Sequence, residues 1–251
     1  MKLLWILLGI TSLVMGCKKD TPTEKDELDL TAGLVAYYPF NGNANDTSGN
    51  SLNGIVQNGA QLTADRFGTQ NSAFYFDGIN DNIVVHDNGR LSEPTFSVAL
   101  YFNTEKATTQ VAIGKINEAN GNAATYNLGV YPEHGFNPYF GIMEEQVACD
   151  VQVPTSLVYT LFTNNPINTN QWYFMVSTFE NGKQYIYIDG VLVATANRPF
   201  AHAKYCLDTD FIIGSWWVND KTAFQGKIDE VRYYKKALTQ AEVQALYKLH
   251  K

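Results

Sequence analysis

The stretch W-Y-F-M-V-S-T-F-E-N-G-K-Q-Y-I-Y-I-D-G-V-L-V-A-T-A, residues 172–196, decides the fold of this chain. It contains two turn dipeptides, Asn181-Gly182 and Asp189-Gly190, and both residues of such a dipeptide tolerate the positive φ that a tight hairpin needs. Between the two turns tyrosine and isoleucine alternate over 185–188, the period of two that is typical of a half-buried strand. The stretch therefore predicts a three-stranded antiparallel meander.

Short strand-like runs continue on both sides of the meander, separated by Gly, Asn and Asp turns. The structured part begins at Gly33, and the clearest runs cover residues 73–76, 82–86, 96–102, 111–115, 211–214 and 227–234. A helix is predicted near the C-terminus, because Thr239 and Glu242 have the spacing of a capping box and an apolar face follows them. That face comprises Leu238, Val243, Leu246 and Tyr247. The chain is predicted to be all-β with one short C-terminal helix.

Several segments, taken in order, resemble one family, the LamG-like jelly-roll domain of the concanavalin A-like lectin/glucanase superfamily. They are G-L-V-A-Y-Y-P-F-N-G-N-A-N-D-T-S-G-N (33–50), F-D-G-I-N-D-N-I-V-V (76–85), F-S-V-A-L-Y-F (96–102), Q-W-Y-F-M-V-S-T-F (171–179), Y-I-Y-I-D-G-V-L-V (185–193) and the segment 224–247. The resemblance implies a sandwich of two curved antiparallel sheets over residues 32–251. Residues 115–170 depart from the family pattern, and we interpret them as a long insertion that carries either function or padding.

The N-terminus carries a predicted export signal. Lys2 is followed by an apolar stretch over 3–15, which is too short for a transmembrane helix but suits a signal-peptide core. Gly16 before Cys17 resembles the lipobox of bacterial lipoproteins, and the charged residues after it resemble the surface-export signal of Bacteroidetes-type lipoproteins. We therefore expect a signal peptide over 1–16, a lipidated flexible linker over 17–31, and an outer-membrane or cell-surface location. The alternative is an ordinary signal peptide in which Cys17 is incidental.

Composition narrows the function classes. The chain has a formal net charge of −7, and phosphate binding needs a basic patch, so nucleic acid is not an expected partner. The chain has three cysteines, and lipidation of Cys17 would leave two free thiols, those of Cys149 and Cys206. An oxidising envelope compartment favours their pairing as a disulfide. Two isolated buried thiols are the alternative, since a bridge requires Cα atoms within about 7 Å of each other.

The loop N-G-N-A-N-D-T-S-G-N (41–50) is rich in the oxygen ligands that Ca²⁺ prefers. The family resemblance implies a structural Ca²⁺ held between this loop and an acidic residue of the last strand. The matching residues are Asp46 and Asp229, with Asn43 as a further ligand. The alternative is an Asx-rich turn that is stabilised by hydrogen bonds of its own side chains.

The sequence does not contain the E-x-D-x-x-E string with which laminarinase-like enzymes present their acids. Glycoside hydrolysis needs two converging carboxyl groups. Glu144 and Glu145 are adjacent, as are Asp229 and Glu230, and neighbours on a strand face opposite sides. We therefore predict that the chain is not an enzyme, with an unrecognised hydrolase or lyase site as an alternative.

Glycan binding is the preferred function, because aromatic faces stack on sugar rings while amides and carboxylates bind hydroxyl groups. Trp216 and Trp217 follow a predicted strand, and in a strand they would face opposite ways. The predicted ligand-binding residues are Trp216, Trp217, Asn219, Asp220, Tyr131, His134 and Tyr139, with Phe136 as additional aromatic surface. The alternative is that these rings only pack the sandwich. We expect a surface-anchored, non-catalytic carbohydrate-binding lipoprotein; a protein–protein adhesion or scaffolding module is the rival.

Overall fold

Two antiparallel sheets packed face to face form the body of the protein. The structure is a computed structural model, and it describes residues 28–117, 123–132, 135–145, 148–150, 158–216 and 222–249. The expected signal peptide, Cys17 and most of the linker lie outside the described residues.

In chain order the strands are β1 Leu34–Tyr38, β2 Ile55–Gln57, β3 Gln61–Thr63, β4 Ala73–Asp77, β5 Asn82–Val85, β6 Phe96–Thr104, β7 Gln110–Ile116, β8 Tyr126–Tyr131, β9 Asn137–Met143, β10 Val158–Phe162, β11 Trp172–Glu180, β12 Lys183–Ile188, β13 Val191–Asn197, β14 Asp210–Ile213 and β15 Gln225–Tyr234. One helix, α1 Gln240–Leu249, follows them within the described residues. The eight-stranded sheet has the order β13-β12-β11-β6-β15-β4-β3, with β1 also paired to β15. The seven-stranded sheet has the order β10-β9-β8-β7-β14-β5-β2. The predicted all-β jelly-roll sandwich is confirmed.

Aromatic side chains from both sheets fill the space between them. Phe96 of β6 lies 4.6 Å from Tyr126 of β8 and 6.0 Å from Phe140 of β9, measured between ring centroids. All three rings are buried to within 1% of complete burial. Contacts of this kind across the interlayer space contribute both area and specific ring geometry to the core.

The meander forms as predicted, because its turn residues adopt the conformation that their types allow. Asn181 and Gly182 have φ of 46° and 73°, and Asp189 and Gly190 have φ of 50° and 81°. Positive φ at both central residues matches the twist of the flanking strands. Strands β11, β12 and β13 therefore pair in sequence order.

The prediction of an insertion over 115–170 is wrong for a large part of that segment. It contains β8, β9 and β10, which extend the seven-stranded sheet beyond β7 by antiparallel pairing. These strands carry glycine and proline at positions 129, 138 and 141, and both residue types are depleted in strands. Their composition therefore concealed elements that belong to the sheet.

Helix α1 covers the outer face of the eight-stranded sheet. The Thr239 hydroxyl accepts the Glu242 amide at 3.3 Å, and the Glu242 carboxylate accepts the Thr239 amide at 2.8 Å, which completes the predicted capping box. Leu238, Val243 and Leu246 are buried in a second apolar cluster on that face. No helix among the described residues is long and apolar enough to cross a bilayer.

The pairing of Cys149 with Cys206, which the sequence leaves open, is present in the structure as a disulfide with a Cα–Cα distance of 5.8 Å. It connects the chain beyond β9 to the loop before β14. Beneath that loop Lys115 and Asp87 form a fully buried ion pair with an Nζ–Oδ1 distance of 2.7 Å. The Lys115 ammonium also donates to the carbonyl and hydroxyl oxygens of Thr209. Both connections fix the 203–209 loop to the seven-stranded sheet.

Candidate functional site

An open cleft of about 420 Å³ lies on the outer face of the seven-stranded sheet. Leu128, Val130 and Phe140 point into the core between the sheets. Because side chains alternate along a strand, their neighbours point to the opposite face. The cleft is lined by Thr109, Val111, Asn127, Tyr131, Tyr139, Thr160, Phe162, Trp216 and Thr222. Its volume lies within the roughly 300–1,000 Å³ that is usual for ligand sites.

A glycine, Gly141, shapes the floor of the cleft. Gly141 of β9 lies between Asn127 of β8 and Thr160 of β10 in the strand register. A Cβ atom at Gly141 would lie only 2.2 Å from Oδ1 of Asn127 and 3.6 Å from Oγ1 of Thr160. The glycine therefore leaves room for an amide and a hydroxyl group side by side at the bottom of the cleft. Both can exchange hydrogen bonds with a polar ligand.

Trp216 forms one side of the cleft because a second glycine lies beneath its indole ring. A Cβ atom at Gly114 of β7 would lie 2.5 Å from Cε3 of Trp216. Trp216 follows β14, and it also packs against the satellite apolar cluster around Ile116, Met143 and Ile212. These contacts fix the position of a large, partly exposed aromatic ring beside the polar floor.

Three further aromatic rings pack against one another on the other side. Tyr131 lies 5.4 Å from Phe162 and 6.4 Å from Tyr139, and Tyr139 lies 6.1 Å from Phe162, measured between ring centroids. The Asn127 amide donates to the Tyr139 hydroxyl at 3.4 Å. Tyr139 is almost fully buried, whereas Tyr131 and Phe162 are half-buried. Aromatic surface on two sides of a polar floor is the arrangement that a sugar ring fits.

The structure brings together three of the predicted ligand-binding residues, namely Trp216, Tyr131 and Tyr139. Trp217, His134, Asn219 and Asp220 lie outside the described residues. Phe136 packs against the main core and does not line the cleft. Sequence reasoning missed Asn127, Thr160 and Phe162, for which the only signal is their alternation with apolar residues in β8 and β10.

The predicted calcium ligands in the loop 41–50 accept hydrogen bonds from neighbouring groups of the protein. Oδ1 of Asp46 accepts the amides of Tyr37 and Ser48, and Oδ2 accepts the Leu52 amide and the Ser48 hydroxyl. Although burial opposes the shift, these hydrogen bonds lower the pKa of Asp46. Asn43 accepts the Asn45 amide. A carboxylate offers about four acceptor positions, and here all four are used, so the geometry favours the Asx-turn alternative.

Asp229, the third predicted ligand, lies in β15 beside Arg66. Oδ2 of Asp229 accepts a hydrogen bond from Arg66 at 2.9 Å, whereas Oδ1 is buried and has no hydrogen-bond partner among the described residues. Burial, aided by the charge of Glu230 and opposed by Arg66, raises the pKa of Asp229 to about 8. Glu230 has a φ of 56° within an irregularity of the β15–β6 pairing. In the described part of the chain, His, Cys, Asp and Glu form no group of three arranged to hold a metal ion.

Comparison with solved structures identifies the same architecture in one domain of an arabinanase and in the binding domains of several toxins. Domain 4 of AbnA, a GH43 extracellular arabinanase from Geobacillus stearothermophilus solved in complex with arabinotriose, is 24% identical, with a TM-score of 0.67 over 86% of this chain and 98% of that one. The binding domain of Paraclostridial Mosquitocidal Protein 1 is 15% identical, with a TM-score of 0.68 over 88% of this chain. The binding domain of Botulinum Neurotoxin DC, solved with SialylT, is 14% identical with a TM-score of 0.63.

This chain spans 53% of the length of each of the two toxin chains, and identities at this level establish a shared fold. No curated protein sequence matches the chain. The profile of the Laminin_G_3 family, described as the concanavalin A-like lectin/glucanases superfamily, matches residues 76–244. That match covers most of the sandwich, from β4 to the first half of α1. The chain therefore belongs to the Laminin_G_3 family of the concanavalin A-like lectin/glucanase superfamily.

Proposed function

We propose that this protein is a non-catalytic carbohydrate-binding lipoprotein held at the outer surface of a bacterial cell. The observation that carries the proposal is the cleft, in which Trp216 and the Tyr131–Tyr139–Phe162 cluster flank a floor of Asn127 and Thr160. Flat aromatic rings match the C–H faces of sugars, and the amide and hydroxyl groups match sugar hydroxyls. The arabinanase domain of the same fold, which was solved with arabinotriose, supports a glycan as the class of ligand.

Binding is proposed in preference to hydrolysis because of the chemistry of the cleft. Its nine described lining residues are threonine, asparagine, tyrosine, tryptophan, phenylalanine and valine. Glycoside hydrolases use a pair of carboxyl groups that flank the scissile bond. Aromatic, amide and hydroxyl groups are sufficient to bind and orient a sugar chain without cleaving it.

A polysaccharide array that includes plant, algal and host glycans tests the proposal. We expect discrete hits that Trp216→Ala weakens by roughly fivefold or more, since stacking on an indole ring contributes on the order of 1 kcal/mol or more. Trp217→Ala is expected to weaken the same hits. Trp172→Ala is the matched control, because Trp172 packs beside α1 on the other sheet. If no glycan on the array binds, or if Trp216→Ala leaves the binding unchanged, the proposed site is contradicted.

The lipid anchor is a separate part of the proposal and has its own test. If the Cys17 thiol is acylated, Cys17→Ser should release the protein from the membrane fraction of the producing cell, and labelling with a fatty-acid analogue should disappear. An ordinary signal peptide predicts a soluble product from both the parent chain and the variant. Surface exposure would then be tested by protease treatment of intact cells.

A structural Ca²⁺ at Asp46 and Asp229 stays a prediction, and thermal unfolding distinguishes it from the Asx turn. A bound ion predicts that a chelator lowers the Tm and that Asp46→Ala abolishes this response. The Asx turn predicts that Asp46→Ala lowers the Tm by itself, because four hydrogen bonds are lost, and that the chelator changes nothing. The contacts of Asp46 lead us to expect the second outcome.

A further inference from the structure

A second depression, of about 400 Å³, lies next to the cleft and shares Phe162 with it. Its other lining residues are Asn164 and, from β13, Leu192, Val193, Ala194 and Thr195. β10 and β13 are the terminal strands of the two sheets and contact each other at this edge of the sandwich. The two depressions therefore form one surface that runs from Trp216 over Phe162 and around the edge.

Strand β13 has an unusual composition for a sheet edge. All seven residues of V-L-V-A-T-A-N are uncharged, and Val191 and Leu192 are 60% and 43% exposed. Exposed edge strands are commonly protected from unwanted pairing by lysine, proline or other charged residues. An uncharged and partly apolar edge that continues a ligand cleft is consistent with a strand that a ligand covers.

We propose that the ligand is a neutral oligosaccharide chain that extends from the cleft over Phe162 onto β13. The inference rests on the proposed function and adds the class and length of the glycan. All described side chains that line the two depressions are uncharged at neutral pH, so they offer stacking and neutral hydrogen bonds to a chain without carboxylate or sulfate groups. Asn164 and Thr195 supply amide and hydroxyl groups in the second depression, as Asn127 and Thr160 do in the cleft.

Two depressions joined by one aromatic ring predict a particular dependence on chain length. A disaccharide occupies the cleft alone, whereas a longer chain also contacts Phe162 and β13. Affinity should therefore increase with the number of sugar rings until the second depression is filled, and then level off. Uronic-acid chains of equal length should bind more weakly, because a carboxylate loses hydration in a site of neutral partners.

Titration calorimetry with arabino-, xylo-, manno- and gluco-oligosaccharides, from disaccharide to octasaccharide, tests the inference, with oligogalacturonides as charged counterparts. For the series that binds, we expect affinity to rise by at least about tenfold from the shortest to the longest chain. Leu192→Lys and Thr195→Lys, each on the exposed edge, should remove that gain and leave disaccharide affinity unchanged. Ile79→Lys is the matched control, because Ile79 is 71% exposed and lies outside both depressions.

The outcomes separate this inference from the proposed function. Two results would show that the ligand occupies only the cleft: an affinity that does not depend on chain length, or a chain-length gain that both β13 variants retain and Trp216→Ala removes. Either result would overturn this inference and leave the proposed function standing. A preference for oligogalacturonides would overturn the neutral class. Absence of binding to every series would overturn the inference together with the proposed function. Protein capture that only the β13 variants abolish would instead assign the edge to a protein partner and reject the inference.

Discussion

The buried Lys115–Asp87 pair shows how one residue pair fixes a loop at the cost of removing two charges from water. Both side chains are fully buried. Burial lowers the pKa of Lys115, and the adjacent Asp87 carboxylate opposes that shift. Asp87 also accepts the Leu91 amide at 2.6 Å, so the same carboxylate orders the segment after β5. Such a pair is tolerated only when every polar atom has a partner.

Removing only one charge of the Lys115–Asp87 pair should therefore lower the free energy of unfolding much more than removing both charges. Asp87→Asn leaves the Lys115 ammonium buried without its counter-charge, and we expect a loss of about 3–5 kcal/mol in the free energy of unfolding at neutral pH. Loss of the counter-charge should depress the pKa of Lys115 in the folded variant further below its value in the unfolded chain. Between these two pKa values the unfolded state binds more protons than the folded state. The free energy of unfolding of the variant should consequently increase with pH, and its deficit against the parent should shrink toward pH 9.

Denaturant unfolding at neutral and alkaline pH measures this effect. The double variant Asp87→Asn/Lys115→Met is the control, because it removes the buried charge together with its partner and should recover a large part of the lost stability. Equal losses in the single and double variants, or a deficit that is independent of pH, would refute the account.

At the scale of elements, β8 and β9 decide both the extent of the sheet and the shape of the cleft. Gly129 and Gly141 both occupy outward-facing positions of these strands. Each position requires a glycine, but for a different reason. A Cβ atom at Gly129 would lie 1.9 Å from the backbone oxygen of Gln110 on β7, whereas one at Gly141 would meet the end of the Asn127 side chain. The first glycine permits close strand pairing, and the second keeps the floor of the cleft open.

Alanine substitutions at the two glycines should therefore affect different properties, stability at Gly129 and glycan affinity at Gly141. Gly129→Ala forces backbone atoms apart, and we expect a loss of stability of about 2 kcal/mol or more, seen as a lower Tm. Gly141→Ala displaces a side chain and occupies the cleft, so glycan affinity should fall by at least about tenfold while the Tm changes little. Calorimetry and thermal unfolding on both variants separate the effects. Unchanged glycan affinity in a folded Gly141→Ala protein would contradict the role of this floor.

These elements also show what the sequence can and cannot predict. The meander was predictable because Asn-Gly and Asp-Gly encode their turns locally. The capping box of α1 was predictable for the same reason. Strands β8 and β9 were missed, because their glycines serve contacts with neighbouring strands that the local sequence does not contain. Tyr131, Tyr139 and Trp216 were each predicted as ligand-binding residues, but their convergence depends on β7 lying between β8 and β14, which is a non-local property.

At the scale of the whole molecule, the first described residues and the cleft lie on opposite faces of the sandwich. Leu30 and Leu34 pack with α1 against the outer face of the eight-stranded sheet, and the Tyr234 hydroxyl donates to the Leu30 carbonyl. The cleft is on the outer face of the seven-stranded sheet. Residues 17–28 span at most about 40 Å when fully extended. A lipid on Cys17, as proposed above, would therefore be joined to the sandwich on the side opposite the cleft.

The disulfide between Cys149 and Cys206 allows an experiment that separates stability from binding. Cys149 and Cys206 are 57 residues apart in sequence, and a cross-link closing a loop of that size stabilises a fold by up to about 4 kcal/mol. The bridge joins two connecting loops, whereas the cleft is built mainly on β7 to β10 and Trp216. Cys149→Ser/Cys206→Ser should therefore lower the Tm by several degrees and leave glycan affinity unchanged well below that Tm. Dithiothreitol should lower the Tm of the parent chain and have no effect on the double variant. Loss of binding in a variant that is still folded would show instead that the bridge holds the cleft in shape.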